Sequence, residues 1–386
     1  MYKKGFVIFL VLLIVMGGMS GVIAPGGGTA HAATTDFAGG TGTGGDPYQI
    51  ANAFQLNAVR NYLGNTFHFK LTANINLSSY IYGSGWNPIG DAANPFSGYM
   101  DGNGFEITKL NINTSTRNEI GLFSRNAGTI TNIILKDVNV IGYDRVGGLV
   151  GLNAGFISNS YVTGHVYGHN IVGGMVGEND KSIENSYSTG SVEGSQTLGG
   201  LVGVNYSGTI SKSYATGSVS GNIDVGGLVG YNHKTIANSY ATGNVNGNET
   251  AGGVVGFNDY STGPTHSFYD SDTTGQTDKG NGTGKTTKEM KTSTTFSDWD
   301  FINDWYILPG QYPQLWSLVA LTPGKKAGTT KLTGVVSGME YKINTGAYTM
   351  ITDTSVDNIA VELGDLIYIR VQENAQLAPV EKKYSV

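Results

Sequence analysis

The groups in this sequence that could move a proton or hold an ion are scattered. Cleaving a glycosidic bond takes two carboxylates facing one linkage, and polysaccharide lyases add Ca²⁺ or a base. The acids to weigh in the middle of the chain are Glu178, Asp180, Glu184, Glu193, Asp224, Glu249 and Asp259. Only Asp180 and Asp259 occupy equivalent places, each just after an Asn, in a stretch that repeats every 26 or 27 residues. They lie three repeats apart, about 14 Å at roughly 4.8 Å per stacked strand, which is too far for one acid–base pair. His68, His165, His169, His233 and His266 show no metal-ligand spacing. His165 and His169 are four apart, but on a bent strand rather than one helix face. Asp270, Asp272 and Asp278 read as a solvated loop, with weak Ca²⁺ binding as the alternative. There is no Cys, hence no disulfide or thiolate site. No catalytic, cofactor-binding or metal-binding residue is assigned, and no cofactor is expected.

Three rows of identical residues are far more regular. Asn126, Asn153, Asn179, Asn205, Asn232 and Asn258 recur at steps of 27, 26, 26, 27 and 26. Stacked identical amides bond to one another, so this row predicts an internal ladder at a corner of the chain. Tyr161, Tyr187, Tyr214 and Tyr240, with Phe268 last, form a second row. It is either a stacked ladder, at least partly buried, or an aromatic strip facing a ligand. Thr163, Thr189, Thr216 and Thr242 each precede a Gly, and turn capping accounts for them. Beyond Asp270 lie Phe296, Trp299, Phe301, Trp305, Tyr306, Tyr312 and Trp316, three of the four Trp of the chain. These side chains predict a cap that shuts the end of the repeats, and the alternative is a sugar-binding platform.

The elements that must carry these rows are set by the repeat. Gly pairs beginning at Gly147, Gly173, Gly199, Gly226 and Gly252 step by 26, 26, 27 and 26 residues. A fixed period of this length marks a solenoid, in which each repeat buries its apolar face against its neighbours. Each repeat reads as three short strands. One is the GGLVG element, one holds Ile157, Ile183, Ile210 or Ile236 with the Tyr, and one ends at Val166, Val192, Val219 or Val245. Gly164, Gly190, Gly217 and Gly243 part the last two, where a corner needs φ > 0 or close backbone approach. The fold class is therefore all-β, a right-handed parallel β-helix over residues 120–270. Residues 33–119 supply an N-terminal cap and irregular first coils, with a helix from Ala53 to Leu63, Asn52 as its N-cap and Gly64 as its stop. Residues 271–320 are the aromatic C-terminal cap. Residues 321–386, with VVSGMEYKI, IAVEL and LIYIRV, form a small β-sandwich-like domain that reads as one unit of a longer array.

Composition sets the surroundings. Lys3 and Lys4, the apolar run Phe6–Met16 and Ala30-His31-Ala32 make residues 1–32 a signal peptide, too short and too Gly-interrupted to span a membrane. The 23 Lys and Arg, less Lys3 and Lys4, leave 21 against 29 Asp and Glu. Such an acidic balance leaves no basic patch for a phosphate backbone, so nucleic acid is not an expected partner.

The repeat GGLVGLNAGFISNSYVTGHV resembles the GLUG motif of bacterial surface proteins. The strings GTGGDPYQIANAFQLNAV, FKLTANINL, WNPIG and PFSGYMDGNGFEITKLNI are similar to the stretches that precede such repeats. GTGKTTKEMKTSTTFSDWDF and YPQLW are similar to the stretch on their C-terminal side. The resemblance spans residues 41–316. It implies a large secreted or wall-associated protein of a Gram-positive-like bacterium, adhesin-like, with a C-terminal unit similar to repeats of surface-layer-associated proteins. Proteases that carry such repeats have a zinc signature HExxH, which this sequence lacks. The expectation is a non-catalytic adhesive or structural surface module, with glycans or a host or cell-wall surface as partner and no transmembrane segment in the mature chain. A carbohydrate-active enzyme using the groove along the coils, or a carbohydrate-binding module, is the alternative.

Overall fold

A small, β-rich repeat with no charged interior positions can close only by stacking, and it does so in parallel. The computed structural model describes residues 36–260, 262–277, 281–371 and 380–385. The signal peptide expected over residues 1–32 lies outside the described residues.

Pairing between coils is in register by one whole repeat. Val150 pairs with Val176, Val176 with Val202, Val202 with Val229 and Val229 with Val255. The parallel solenoid makes about seven turns. Each coil has four faces rather than three strands. The GGLVG string is bent in its middle: Val146–Gly147 belongs to a five-stranded sheet, and Val150–Asn153 to a six-stranded one. Phe156–Ser158 lies in an eight-stranded sheet and Tyr161–Tyr167 in a thirteen-stranded one. The extra corner comes from Gly148, where a Cβ would sit 2.6 Å from Val162 Cγ1 and 2.7 Å from the Gly174 carbonyl oxygen.

The interior is a set of aliphatic columns with no solvent exposure. One runs Leu149, Met175, Leu201, Leu228, Val254 and another Ile130, Ile183, Ile210, Ile236. Burying each such side chain stabilises the coil by about 2 kcal/mol, so stability accrues coil by coil. Corner glycines let the columns close. Gly217 and Gly243 would bring a Cβ within 1.9 and 1.8 Å of the carbonyl oxygen of the corner glycine one coil back, whereas Gly164 adopts φ +126°. A second corner, two residues before each Tyr and before Ile134, puts Asn132, Asn159, Asn185, Lys212 and Asn238 in the left-handed region, which Asn, at four of the five places, tolerates better than most residues.

Both ends of the stack are covered. Asn52 Oδ1 accepts from the Gln55 N–H at 3.0 Å and starts a helix over Ala53–Ala58 that continues as a 3-10 turn to Tyr62. Leu56 and Val59 press into the first coil beside Phe37, Tyr48 and Phe69. At the far end the last coil is closed by Tyr269, whose ring fills the space over Gly253, and by the strand Thr283–Lys285 paired to Phe268–Asp270.

The C-terminal residues form a three-stranded and a four-stranded antiparallel sheet around Leu332, Met339, Ile351, Ile367 and Ile369. Between them and the coils lies a two-sided layer. Trp305, Ile307 and Leu315 join the cluster around Tyr214 and Tyr240, while Tyr306, Leu308 and Trp316 join the C-terminal core. Strand alternation explains the division. This aromatic layer packs on the flank of the solenoid, over the outward Tyr column, and the end of the last coil is left to Tyr269.

Candidate functional site

The acids do not converge. Glu178, Glu184 and Glu193 share one coil with Asp180 but stand on three different sheets, Asp224, Glu249 and Asp259 lie on later coils, and most of the carboxylates are taken up by local partners. Glu178 accepts from Arg145 Nε at 2.6 Å, Glu184 pairs with Lys212 at 3.3 Å, and Asp224 accepts from Thr250 Oγ1 at 2.6 Å. Asp180 Oδ1 accepts from Ser207 Oγ, while Glu193 and Glu249 are exposed. Asp270 is fully buried and ties the last coil to the helical turns on its C-terminal side. Its Oδ1 caps the helical turn Ser271–Thr274, and its Oδ2 accepts from Thr287 Oγ1 at 2.7 Å and Tyr312 OH at 2.6 Å. That is a fastening rather than a solvated ion site; Asp278 lies outside the described residues. Among the described residues no group of three or more His, Cys, Asp or Glu is placed to hold a metal.

Two ladders fix the coils. Asn126 Nδ2 donates to Asn153 Oδ1 at 2.8 Å, and the same bond continues through Asn179, Asn205 and Asn232 to Asn258 at 2.8, 2.9, 2.8 and 2.7 Å. Asn153 and Asn232 also close a local turn: Asn153 donates to the Gly155 carbonyl and accepts from the Gly155 N–H, and Asn232 does the same with Lys234. Asn suits the place because its short amide gives and takes in both directions at once. The second ladder is serine. Ser160, Ser186, Ser213, Ser239 and Ser267 lie buried just before the Tyr row. Ser186 Oγ accepts from the Ser160 N–H at 3.2 Å and donates to the Glu184 carbonyl at 2.8 Å, and the others repeat this. Their constant place before each aromatic was the sequence signal for this ladder.

The Tyr row is a stack on the outside of the coil. Ring centroids are 4.7, 4.5 and 4.8 Å apart from Tyr161 through Tyr187 and Tyr214 to Tyr240, with planes within 12°. Neighbouring rings occupy each other's faces, so the row offers a ligand edges rather than faces. Tyr214 and Tyr240 are buried under Trp299 and Trp305. Their hydroxyls donate to Gln314 Oε1 and the Pro313 carbonyl, and burial holds their pKa well above the usual phenol range. Tyr161 and Tyr187 are half-buried at the wall of a cleft of about 270 Å³, beside the Glu106–Lys136 ion pair and the C-terminal strands. A sugar platform of Trp299, Trp305 and Trp316 is not formed. Their exposures are 6%, 1% and 3%, because Trp299 and Trp305 pack in the cluster around Tyr214 and Tyr240 and Trp316 in the C-terminal core.

Sequence reasoning passed over the aromatics beside the Asn corner, which belong to no single row. Phe156 is 51% exposed, Tyr206 57% and Phe257 44%. Tyr231 and Phe257 face outward on successive coils with centroids 5.2 Å apart. His233 stands edge-on to Tyr206 and Tyr231, its Nδ1 3.0 Å from Asp259 Oδ2, which also accepts from Tyr231 OH at 3.1 Å. Lys181 Nζ lies 5.6 Å from the Phe156 ring.

These coils, ladders and end covers define a parallel β-solenoid built from one short repeated unit. That unit resembles the GLUG motif: the model of this family matches residues 142–167, 194–220 and 221–246, so the chain carries GLUG-motif repeats. A protein of Evansella cellulosilytica, provisionally named a Gly-rich membrane protein, is 44% identical over 136 residues, which is 33% of this chain and 16% of that protein. Halomucin of Haloquadratum walsbyi is 33% identical over 152 residues, or 36% of this chain and 2% of its own length. The matches thus span a small part of either relative. The solved structure of a Bacteroides ovatus protein, provisionally named an immunoglobulin A1 protease, superposes with a TM-score of 0.61 at 22% identity, covering 73% of this chain and 96% of that one. That likeness is one of fold. Among the described residues no helix is long and apolar enough to cross a membrane.

Proposed function

We propose that this chain is a non-catalytic module of an exported, cell-surface protein, and that its solenoid flank serves as a stiff adhesive or spacing surface. The observation that carries this reading is where the carboxylates go. Glu178, Glu184, Asp224 and Asp270 each serve a structural bond, on different faces or different coils, so the polar chemistry of the repeats is spent on rigidity. The printed names of the two sequence relatives, a membrane protein and halomucin, support a place at the cell surface. The name of the Bacteroides protein supplies a second reading, hydrolysis.

The test is to present residues 33–386 to an array of glycans and host-matrix proteins and to analyse every bound substance for cleavage. Retention without products is expected. Products whose formation is lost in Asp259→Asn or Glu178→Gln would overturn the non-catalytic reading.

A further inference from the structure

From the exposed aromatics at the Asn corner we infer that the edge running from Phe156 to Phe257 is a binding ridge for an extended, neutral polysaccharide chain lying along the solenoid axis. The inference rests on the surface-module reading for its setting, and on its own geometry for the ligand. Coils centred on Asn153, Asn179, Asn205, Asn232 and Asn258 each place side chains at this corner. Four of the five bring an aromatic ring: Phe156, Tyr206, Tyr231 and Phe257. The Asn179 coil brings Asp180 and Lys181.

Pyranose rings carry patches of C–H on their faces and hydroxyls around the rim. They are held by open aromatic faces with hydrogen-bonding groups close by. Phe156, Tyr206 and Phe257 are 51%, 57% and 44% exposed, unlike Trp299, Trp305, Trp316, Tyr214 and Tyr240, which are buried. Polar partners alternate with the rings. Ser207 Oγ bonds to Asp180 at 3.3 Å, and the His233–Asp259–Tyr231 group offers donors and acceptors between Tyr206 and Phe257. Charges of both signs are mixed along this corner, Lys181 and Lys234 against Asp180 and Asp259, so no net field selects an ionised sugar.

Spacing supports a chain rather than a single sugar. Coils succeed one another at roughly 4.8 Å, close to the advance of one pyranose unit in an extended glycan. The rings sit on backbone fixed by the Asn ladder, so they are ordered before the ligand arrives and little freedom is lost on binding.

The experiment titrates residues 33–386 with cellohexaose, an N-acetylglucosamine hexamer and the matching dimers, by calorimetry. One hexamer is expected to bind at least about tenfold more tightly than its dimer, because several coils contribute. Tyr206→Ala and Phe257→Ala should each weaken it several-fold with the unfolding transition unmoved, whereas Tyr167→Ala, exposed on another face, should leave it unchanged. Equal binding of hexamer and dimer, indifference to both substitutions, or binding of no probe overturns the ridge. The last result leaves the surface-module reading standing, while cleavage of a bound hexamer would sink that reading and leave the ridge in place.

Discussion

The Asn ladder can be broken at one rung with a cost set by its geometry. Asn179 accepts from Asn153 at 2.8 Å and donates to Asn205 at 2.9 Å, and all three are fully buried. Asn179→Ala removes both bonds, each worth about 1 kcal/mol net, and leaves Asn205 Oδ1 without its ladder donor, a further ~1–3 kcal/mol. Asn153 Nδ2 keeps the Gly155 carbonyl at 3.0 Å, so its loss is smaller. The sum is about 3–5 kcal/mol. Asn258 ends the row, is half-buried and carries one ladder bond, so Asn258→Ala should cost about 1 kcal/mol. Asn179→Asp is the sharper probe. A carboxylate can still accept from Asn153 but sets an oxygen against Asn205 Oδ1 and buries a charge. Its folded-state pKa should rise, so the defect is full at neutral pH and eases as pH falls through that raised value, where the protonated acid can donate. The assay is urea unfolding followed by far-ultraviolet dichroism, with hydrogen exchange at the Val176–Asn179 and Val202–Asn205 amides to catch opening of single coils. If Asn179→Ala costs no more than Asn258→Ala, or Asn179→Asp tracks the parent protein at every pH, the ladder is ornament rather than support.

Two further outcomes are expected. Trp305→Ala, removing a ring that is 1% exposed and packed on Trp299, Tyr214 and Tyr240, should cost about 3–5 kcal/mol and make the C-terminal module sensitive to protease; a loss under about 1 kcal/mol would show that the two-sided layer does not bind the parts together. Alkaline titration reads the buried phenols. Tyr187, Tyr214 and Tyr240 are held well above their usual pKa by burial, and Tyr312 is pushed up to about 12 by burial and then by Asp270. An unfolded Tyr ionises near pH 10, so folding is favoured below that and weakens as pH rises towards the folded values. Tyrosinate absorbance should therefore show a late, cooperative step accompanying unfolding, and a single simple titration of all tyrosines would refute it.

The inward columns were legible because burial selects for identity: the Asn row and the Ile and Val rows repeat without exception in the regular coils. The serine ladder was equally periodic, yet Ser160 and its equivalents look like turn residues until their N–H partners are known. The side of the Tyr row was hidden by the left-handed residues two before each Tyr, Asn159, Asn185, Lys212 and Asn238, which reset strand parity. The destination of the Trp residues was hidden for a different reason. Trp305, Tyr306, Ile307 and Leu308 alternate towards two separate cores, and no local pattern says that a second core stands opposite. The ridge escaped notice because Phe156, Tyr206 and the Tyr231–Phe257 pair occupy three different columns, brought together by the corner alone.

The tight glycine corners dictate how such an array grows. With Gly217 and Gly243 seated almost on the carbonyl of the coil behind, a one-residue insertion there would throw every column out of phase. The single extra residues of the longer coils fall elsewhere, at the bulge near Asp137 opposite Gly164 and in the exposed turn between Asn205 and Ile210. Length therefore changes freely only in whole coils. A duplicated coil arrives with its Asn, Ser and Tyr already matched to both neighbours, and it lengthens the outer edge by one unit. The reach of the array can thus be tuned by copying a gene segment, with no new core to invent.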